Sequence, residues 1–139
     1  MSHFSKISAK ICDGEALEAA ATKMGFPLVP GGKCRYYYGA KKADLVIRLP
    51  GKYDLALNRE GDAYSVQADL YNGQVEQYVG KNAGLLTQRY AAEKARIEAF
   101  KHSLAVTEEN EGSNIVLTLI DTDTGGQIKV VCHVGGNIE

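Results

Sequence analysis

Residues 4–11 open on an alternation in which Ile7, Ala9 and Ile11 interleave with Lys6, Ser8 and Lys10. A period of two puts one face on a core and one in water, so this segment is read as the first strand. Asp13 then offers a side-chain acceptor to a first helical turn, and Glu15 places a carboxylate where the helix dipole favours it. Leu17, Ala20, Ala21 and Met24 recur at helical spacing, which predicts a short amphipathic helix over 14–24. Gly25 suits its left-handed end, and Pro27 prevents continuation.

A strand-rich region follows over 33–70. The Tyr36-Tyr37-Tyr38 run favours a strand, and Gly39 to Lys42 reads as a turn. Leu45, Ile47 and Leu49 alternate with Asp44 and Arg48, although Val46 breaks the pattern. Pro50-Gly51 turns the chain into a strand marked by Tyr53, Leu55 and Leu57. Asn58 to Asp62 reads as a hairpin connection, with Arg59 and Glu60 in solvent and Gly61 at positive φ. Its partner strand alternates Tyr64, Val66, Ala68 and Leu70 against Ser65, Gln67 and Asp69.

Residues 71–82 are polar and form a loop ending at a candidate N-cap, Asn82. A long helix over 83–104 follows, with Leu86, Tyr90, Ile97, Phe100 and Leu104 on one stripe. Glu93 falls inside that stripe, with Arg89 and Arg96 at pairing distances along the helix. Strands over 105–109, 114–121 and 127–134 close the chain, and Ile128, Val130, Cys132 and Val134 form the apolar face of the last. The order is β-α-β-β-β-β-α-β-β-β. Tight turns force antiparallel pairing, and each strand has one apolar face. The expected fold is therefore α+β: a two-layer sandwich of an antiparallel sheet with two helices on one face. At 139 residues, the chain is expected to form one α+β domain over 1–139.

Charge changes this picture little. Sixteen basic and 17 acidic residues leave a formal net charge of -1, so there is no bulk pull toward nucleic acid or anionic membrane. Cys12, Cys34 and Cys132 are odd in number and scattered, which implies a reducing compartment. The first residues lack a signal-peptide core, and no apolar run reaches the roughly 18 residues that a span needs. The expectation is a soluble protein, cytoplasmic or in a plastid stroma.

The candidate chemistry is sparse. Asp123-Thr124-Gly125 has the look of an aspartic-protease triplet, but 14 residues beyond Gly125 are too few for the rest of that barrel. Asp121 to Gly126 begins like a calcium loop, yet Cys132 stands where the bidentate Glu belongs, so a hairpin turn is the reading. Cys132 and His133 point to opposite faces of a strand and cannot chelate together. Buried, inert cysteines and solvent histidines are expected. The residues suggest no catalytic, metal or cofactor site. Lys33, Arg35, Tyr37, Lys41 and Lys42 form a candidate patch for single-stranded RNA or DNA, with rings for bases and cations for phosphates; the plainer alternative is a tyrosine-rich strand that packs at its base and wets its hydroxyls. Glu93 is read either as an end-of-stripe residue reaching water beside Arg89 and Arg96, or as part of a candidate partner site or cleft of Gln88, Arg89, Tyr90 and Glu93, built around a partly buried Glu93–Arg89 pair.

Several strings together resemble a family of conserved hypothetical-chloroplast-frame proteins, Ycf number thirty-five, of algal plastids and cyanobacteria. They are Met1-Ser-His-Phe-Ser-Lys-Ile7 with Asp13, the Tyr-Tyr-Gly turn before Asp44 to Ile47, Tyr53-Asp54, Tyr64 to Leu70, and Leu86-Thr-Gln-Arg-Tyr-Ala91. The resemblance covers roughly residues 1–120. It implies a small accessory protein of unknown activity, with an AAA+ ATPase or a ferredoxin-like protein as partner. The chain departs from that family in having no Trp and in running on by about a strand through Gln127 to Glu139, as a diverged or phage-borne copy would. The leading expectation is a non-catalytic accessory protein that binds a protein partner through an exposed sheet face or the 71–82 loop. The alternatives are the nucleic-acid patch and, third, an enzyme with its site in that loop.

Overall fold

The structure, a computed structural model, describes residues 4–138; His3, expected in solvent, lies outside the described residues. The first strand and helix lie where the pattern places them, β1 at Phe4–Ile11 and α1 at Gly14–Met24. Asp13 caps α1, its Oδ1 accepting from the N–H groups of Glu15 (3.0 Å) and Ala16 (3.3 Å). Gly25 ends the helix at φ 84°, and Phe26 N–H returns to the Ala21 carbonyl.

Six strands, not four, follow α1: β2 (Leu28–Pro30), β3 (Lys33–Tyr36), β4 (Gly39–Lys42), β5 (Leu45–Ile47), β6 (Leu55–Glu60) and β7 (Ala63–Asp69). The segment read as a turn, Gly39 to Lys42, is a strand, and the reversal lies at Tyr37-Tyr38 instead. Gly39 takes φ 136° there, a conformation a side chain resists. The other predicted hairpin holds: Arg59 and Glu60 are exposed at the end of β6, and Gly61 has φ 61°.

A short helix α2 (Glu76–Val79) occupies part of the segment read as loop, and the long helix is α3, Gly84–Lys101. Asn82 is not its N-cap. Asn82 and Ala83 both sit at left-handed φ (54° and 56°) in the tight turn leading in, so the Asn82 side chain makes no cap bond. Three strands complete the chain: β8 (Ala105–Glu111), β9 (Asn114–Ile120) and β10 (Gln127–Cys132). Asp121 to Gly126 is the hairpin turn between the last two, with Asp121 Oδ1 accepting from Asp123 N–H at 2.9 Å.

The fold is α+β, and every strand pairing is antiparallel. The strands do not join into one sheet. They divide into a five-stranded sheet (β1-β7-β6-β5-β2), a three-stranded sheet (β10-β9-β8) and a two-stranded ribbon (β3-β4). The main core lies between the five-stranded sheet and helices α1 and α3: Ile7, Ile11, Leu17, Leu55, Leu57, Val66, Leu86 and Tyr90. The ribbon covers part of that sheet's other face, where Cys34 packs with Ala43, Val46 and Ala56. That second cover explains why Val46 is apolar out of phase: its strand is buried on both faces.

Helix α3 serves two cores. Leu86, Tyr90 and Ile97 face the main one, while Ala91, Ala92 and Ala95, on nearly the opposite side, pack on Ile115, Leu117 and Cys132 of the three-stranded sheet. Phe100, expected on the buried stripe, is 84% exposed; Ile97 is the last α3 residue packed on the main core. On β10 the expected apolar face is buried only at Cys132; Ile128 and Val134 are exposed.

Candidate functional site

Three acid-centred constellations tie distant segments together. Asp54, fully buried, receives Arg35 Nε (2.8 Å) and Nη2 (2.7 Å), Arg48 Nη1 (2.9 Å), and the N–H groups of Arg35 (3.0 Å) and Leu49 (3.2 Å). Burial alone would raise its carboxyl, but these donors outweigh that and hold it below the ordinary value. The Arg35 guanidinium is raised in turn by its bond to Asp54. Beside it, burial and the Asp54 charge push the Cys34 thiol up to about 12, so that thiol stays protonated and unreactive. The cluster fastens the ribbon to the main body.

The second constellation sits where α3 meets the three-stranded sheet. Arg89 reaches Glu108 on β8 with both Nη atoms (3.0 and 3.1 Å) and Glu93 with Nη1 (3.2 Å). Arg96 Nη2 bonds Glu108 Oε1 at 2.5 Å, and its Nε lies 3.7 Å from Glu93. Gln88 donates to the carbonyls of Ser113 (2.7 Å) and Cys132 (2.9 Å). The Tyr90 hydroxyl accepts from the N–H groups of Cys12 (3.0 Å) and Asp13 (2.9 Å) on the opposite side of the helix. Gln88, Arg89, Tyr90 and Glu93 are therefore not brought to one surface. Their polar atoms dock α3 on its neighbours, and of the four only Tyr90 lines a hollow, of about 530 Å³, between α3 and the Gly135–Ile138 tail.

The third constellation is exposed. Tyr37 and Tyr38 form the tip of the ribbon, and Tyr71, at the head of the 71–82 segment, stands beside them. Ring centroids are 5.0 Å apart for Tyr37–Tyr38 and 5.9 Å for Tyr37–Tyr71, both edge-to-face. Their exposures are 56%, 70% and 45%, so much of each ring meets solvent. Beneath them Asp69 is fully buried and holds both segments, Oδ2 accepting from Tyr37 N–H (2.9 Å) and Oδ1 from Tyr71 N–H (3.0 Å). Burial raises the Tyr53 phenol next to this carboxylate, and the Asp69 charge adds to that.

The five residues read as a nucleic-acid patch are divided by this geometry. Arg35 spends its guanidinium on Asp54. Lys41 lies over the Phe4 and Tyr36 rings, at 5.0 and 5.9 Å. Lys33 and Lys42 face each other across the ribbon, and Tyr37 belongs to the tip. Reading by alternation placed Tyr38 on a strand and missed Tyr71 and Asp69, since a turn has no alternation and Asp69 acts over a separation of 32 residues. Cys34 and Cys132 are buried and His102 is exposed as expected, but Cys12 is exposed, and His133 is half-buried with Nδ1 3.1 Å from Asn114 Oδ1.

These features define a small α+β protein whose buried acids organise the interior and whose outward rings gather at one ribbon tip. The chain belongs to the family described as "Protein of unknown function (DUF1257)", whose model matches residues 20–120. The matched stretch contains the whole ribbon, the acids and arginines of the constellations, the three tyrosines of the tip and α3, and stops before β10. No curated protein and no solved structure matches the chain. Among the described residues no helix is long and apolar enough to cross a membrane.

Proposed function

We propose that the chain is a non-catalytic accessory protein that binds a protein partner through the tyrosine platform of Tyr37, Tyr38 and Tyr71. The observation that carries this reading is Asp69. A carboxylate buried completely and bonded to the backbone of both tyrosine-bearing segments presets the platform, which lowers the ordering cost of binding. Tyrosine is favoured at interfaces because it offers a large contact area and a hydroxyl for few rotatable bonds. The family resemblance makes an AAA+ ATPase or a ferredoxin-like protein the first partner to try, and the narrower chloroplast-frame identity belongs to the same proposal.

Single-stranded nucleic acid is the second reading, weakened by the loss of Arg35 to Asp54. A tagged chain recovered from native cells is expected to bring down one stoichiometric protein. Replacing Tyr37, Tyr38 and Tyr71 with Ser should abolish that recovery without changing the melting curve. Recovery of no stoichiometric protein, or equal recovery by the triple variant, would overturn the reading. Oligonucleotide binding that falls steeply with salt in a filter assay would transfer the function to the second.

A further inference from the structure

We propose that the outer edge of β4 is a docking edge for an extended, acidic segment of the partner, which adds to the ribbon as a third strand. This deepens the function proposed above and rests on it, since the edge begins next to the tyrosine tip.

The backbone of β3 shows which way β4 points. Arg35 stands opposite Ala40 and Lys33 opposite Lys42. Arg35 turns its backbone away from β4: its N–H donates to Asp54 Oδ2 (3.0 Å), and its carbonyl accepts from Asp54 N–H (3.1 Å). The Lys33 carbonyl accepts from Arg48 Nη1 on that same side. In an antiparallel pair, facing residues alternately exchange both backbone bonds or direct both groups outward. Positions 33 and 35 direct theirs outward on one side, so Ala40 and Lys42 direct theirs outward on the other. There they meet no strand, and no hydrogen bond to either backbone is present among the described residues. All four residues of β4 are exposed. Two outward N–H and C=O pairs, two residues apart, are what an added strand requires.

Charge selects the occupant. Lys33 and Lys42 oppose one another at a non-bonded pair, where facing side chains approach most closely. Among the described residues neither has a carboxylate partner. An acidic side chain on the incoming strand beside Lys42 would relieve that repulsion. A second copy of this chain fits poorly, because edge-to-edge pairing would set the Lys41-Lys42 row against itself. Nucleic acid fits poorly too: phosphate oxygens accept from N–H groups but cannot donate to the outward carbonyls.

The test is a titration of the ¹⁵N-labelled full chain with a capped peptide of alternating Glu and Val. The Ala40 and Lys42 amides are expected to become protected from exchange. Affinity should fall by about tenfold or more in the Lys33→Glu/Lys42→Glu variant. It should fall similarly when alternate peptide nitrogens are methylated, a change that leaves the protein untouched. A Lys–Val peptide should reverse the preference, binding the charge-reversed variant and not the natural chain. Ala40→Pro removes one outward N–H without breaking the β3 ladder, and should weaken binding as well. Unprotected amides, undiminished binding of the methylated peptide, or equal binding of both peptides would overturn the proposal. So would protection of those amides by an oligonucleotide, or by self-association alone. A tyrosine-triple variant that still binds the peptide while no native partner depends on the tyrosines would fault the platform and leave the edge standing. A natural chain that recovers its partner through the tyrosines but ignores the peptide would do the reverse.

Discussion

Replacing Glu108 with Ala removes the centre of the α3 docking cluster. Its carboxylate takes three charge-assisted bonds, two from Arg89 and one from Arg96, and it joins β8 to the helix. The Arg89 side chain is only 15% exposed, so the substitution leaves a largely buried guanidinium with Glu93 alone. Stranding one partner of a buried pair costs about 3–5 kcal/mol; with Glu108 itself partly in water, about 3 kcal/mol is expected. Glu93→Ala removes one bond to Arg89 and the looser ion pair with Arg96 but leaves Glu108 in place, so about 1.5–2 kcal/mol is expected. Glu98, 63% exposed beside Lys101 and His102, is the control, and its removal should change stability by less than about 0.5 kcal/mol. Urea melts followed by circular dichroism measure all three, with an unchanged slope confirming that unfolding stays two-state. The order Glu108 over Glu93 over Glu98 is the outcome the geometry requires. Three small, similar losses would show that the arginines are solvated and that α3 is held by alanine packing alone.

Two further outcomes follow from the buried groups. Asp54 and Glu108 both titrate below their ordinary values of 3.8 and 4.5, Asp54 because its donors outweigh burial and Glu108 chiefly through its bond to Arg89. A depressed folded value means their stabilisation is present above those ordinary values and is lost as pH falls through the lower folded ones, so melting temperature should drop on acidification below about 4; an Asp54→Asn/Glu108→Gln chain should lose much of that dependence. Ellman's reagent should find one reactive thiol in the native protein, Cys12, and three after denaturation, because Cys34 and Cys132 are buried and raised by that burial.

Much of the fold was legible where local chemistry decides the structure. The alternation of β1, the Asp13 cap and Gly25 stop of α1, and the Gly61 turn are each set by neighbouring residues. What stayed hidden depends on contacts far apart in the chain. The second buried face of α3 is lined with Ala91, Ala92 and Ala95, which contrast too little with polar residues to register as a stripe, so one core was expected where there are two. The ribbon reads as a strand and a turn because nothing local marks Gly39–Lys42 as extended; pairing with Lys33–Tyr36 makes it so. Glu93 was visible as an anomaly, and its Arg89 partner was readable from the spacing of four. Glu108 was not, since it reaches Arg89 from another element. The tyrosine platform was half visible: the Tyr36 to Tyr38 run stood out, while Tyr71 joins it only through Asp69.

The same acids account for where the cations are left over. The chain has almost equal numbers of acidic and basic residues, but acids placed inside the fold do not balance lysines outside it. Asp54 binds Arg35 and Arg48, Glu93 and Glu108 bind Arg89 and Arg96, and Asp69 is consumed by two backbone N–H groups. Four of the arginines, whose planar guanidinium suits a carboxylate, are held by those acids. Lys33, Lys41 and Lys42 stay on the ribbon without a carboxylate partner among the described residues. A near-neutral protein thus carries a locally basic edge beside three outward tyrosines. Fixing the interior with carboxylates and exposing that edge are one arrangement: the Asp54 bonds that hold β3 to the body also turn the free backbone groups of β4 toward solvent.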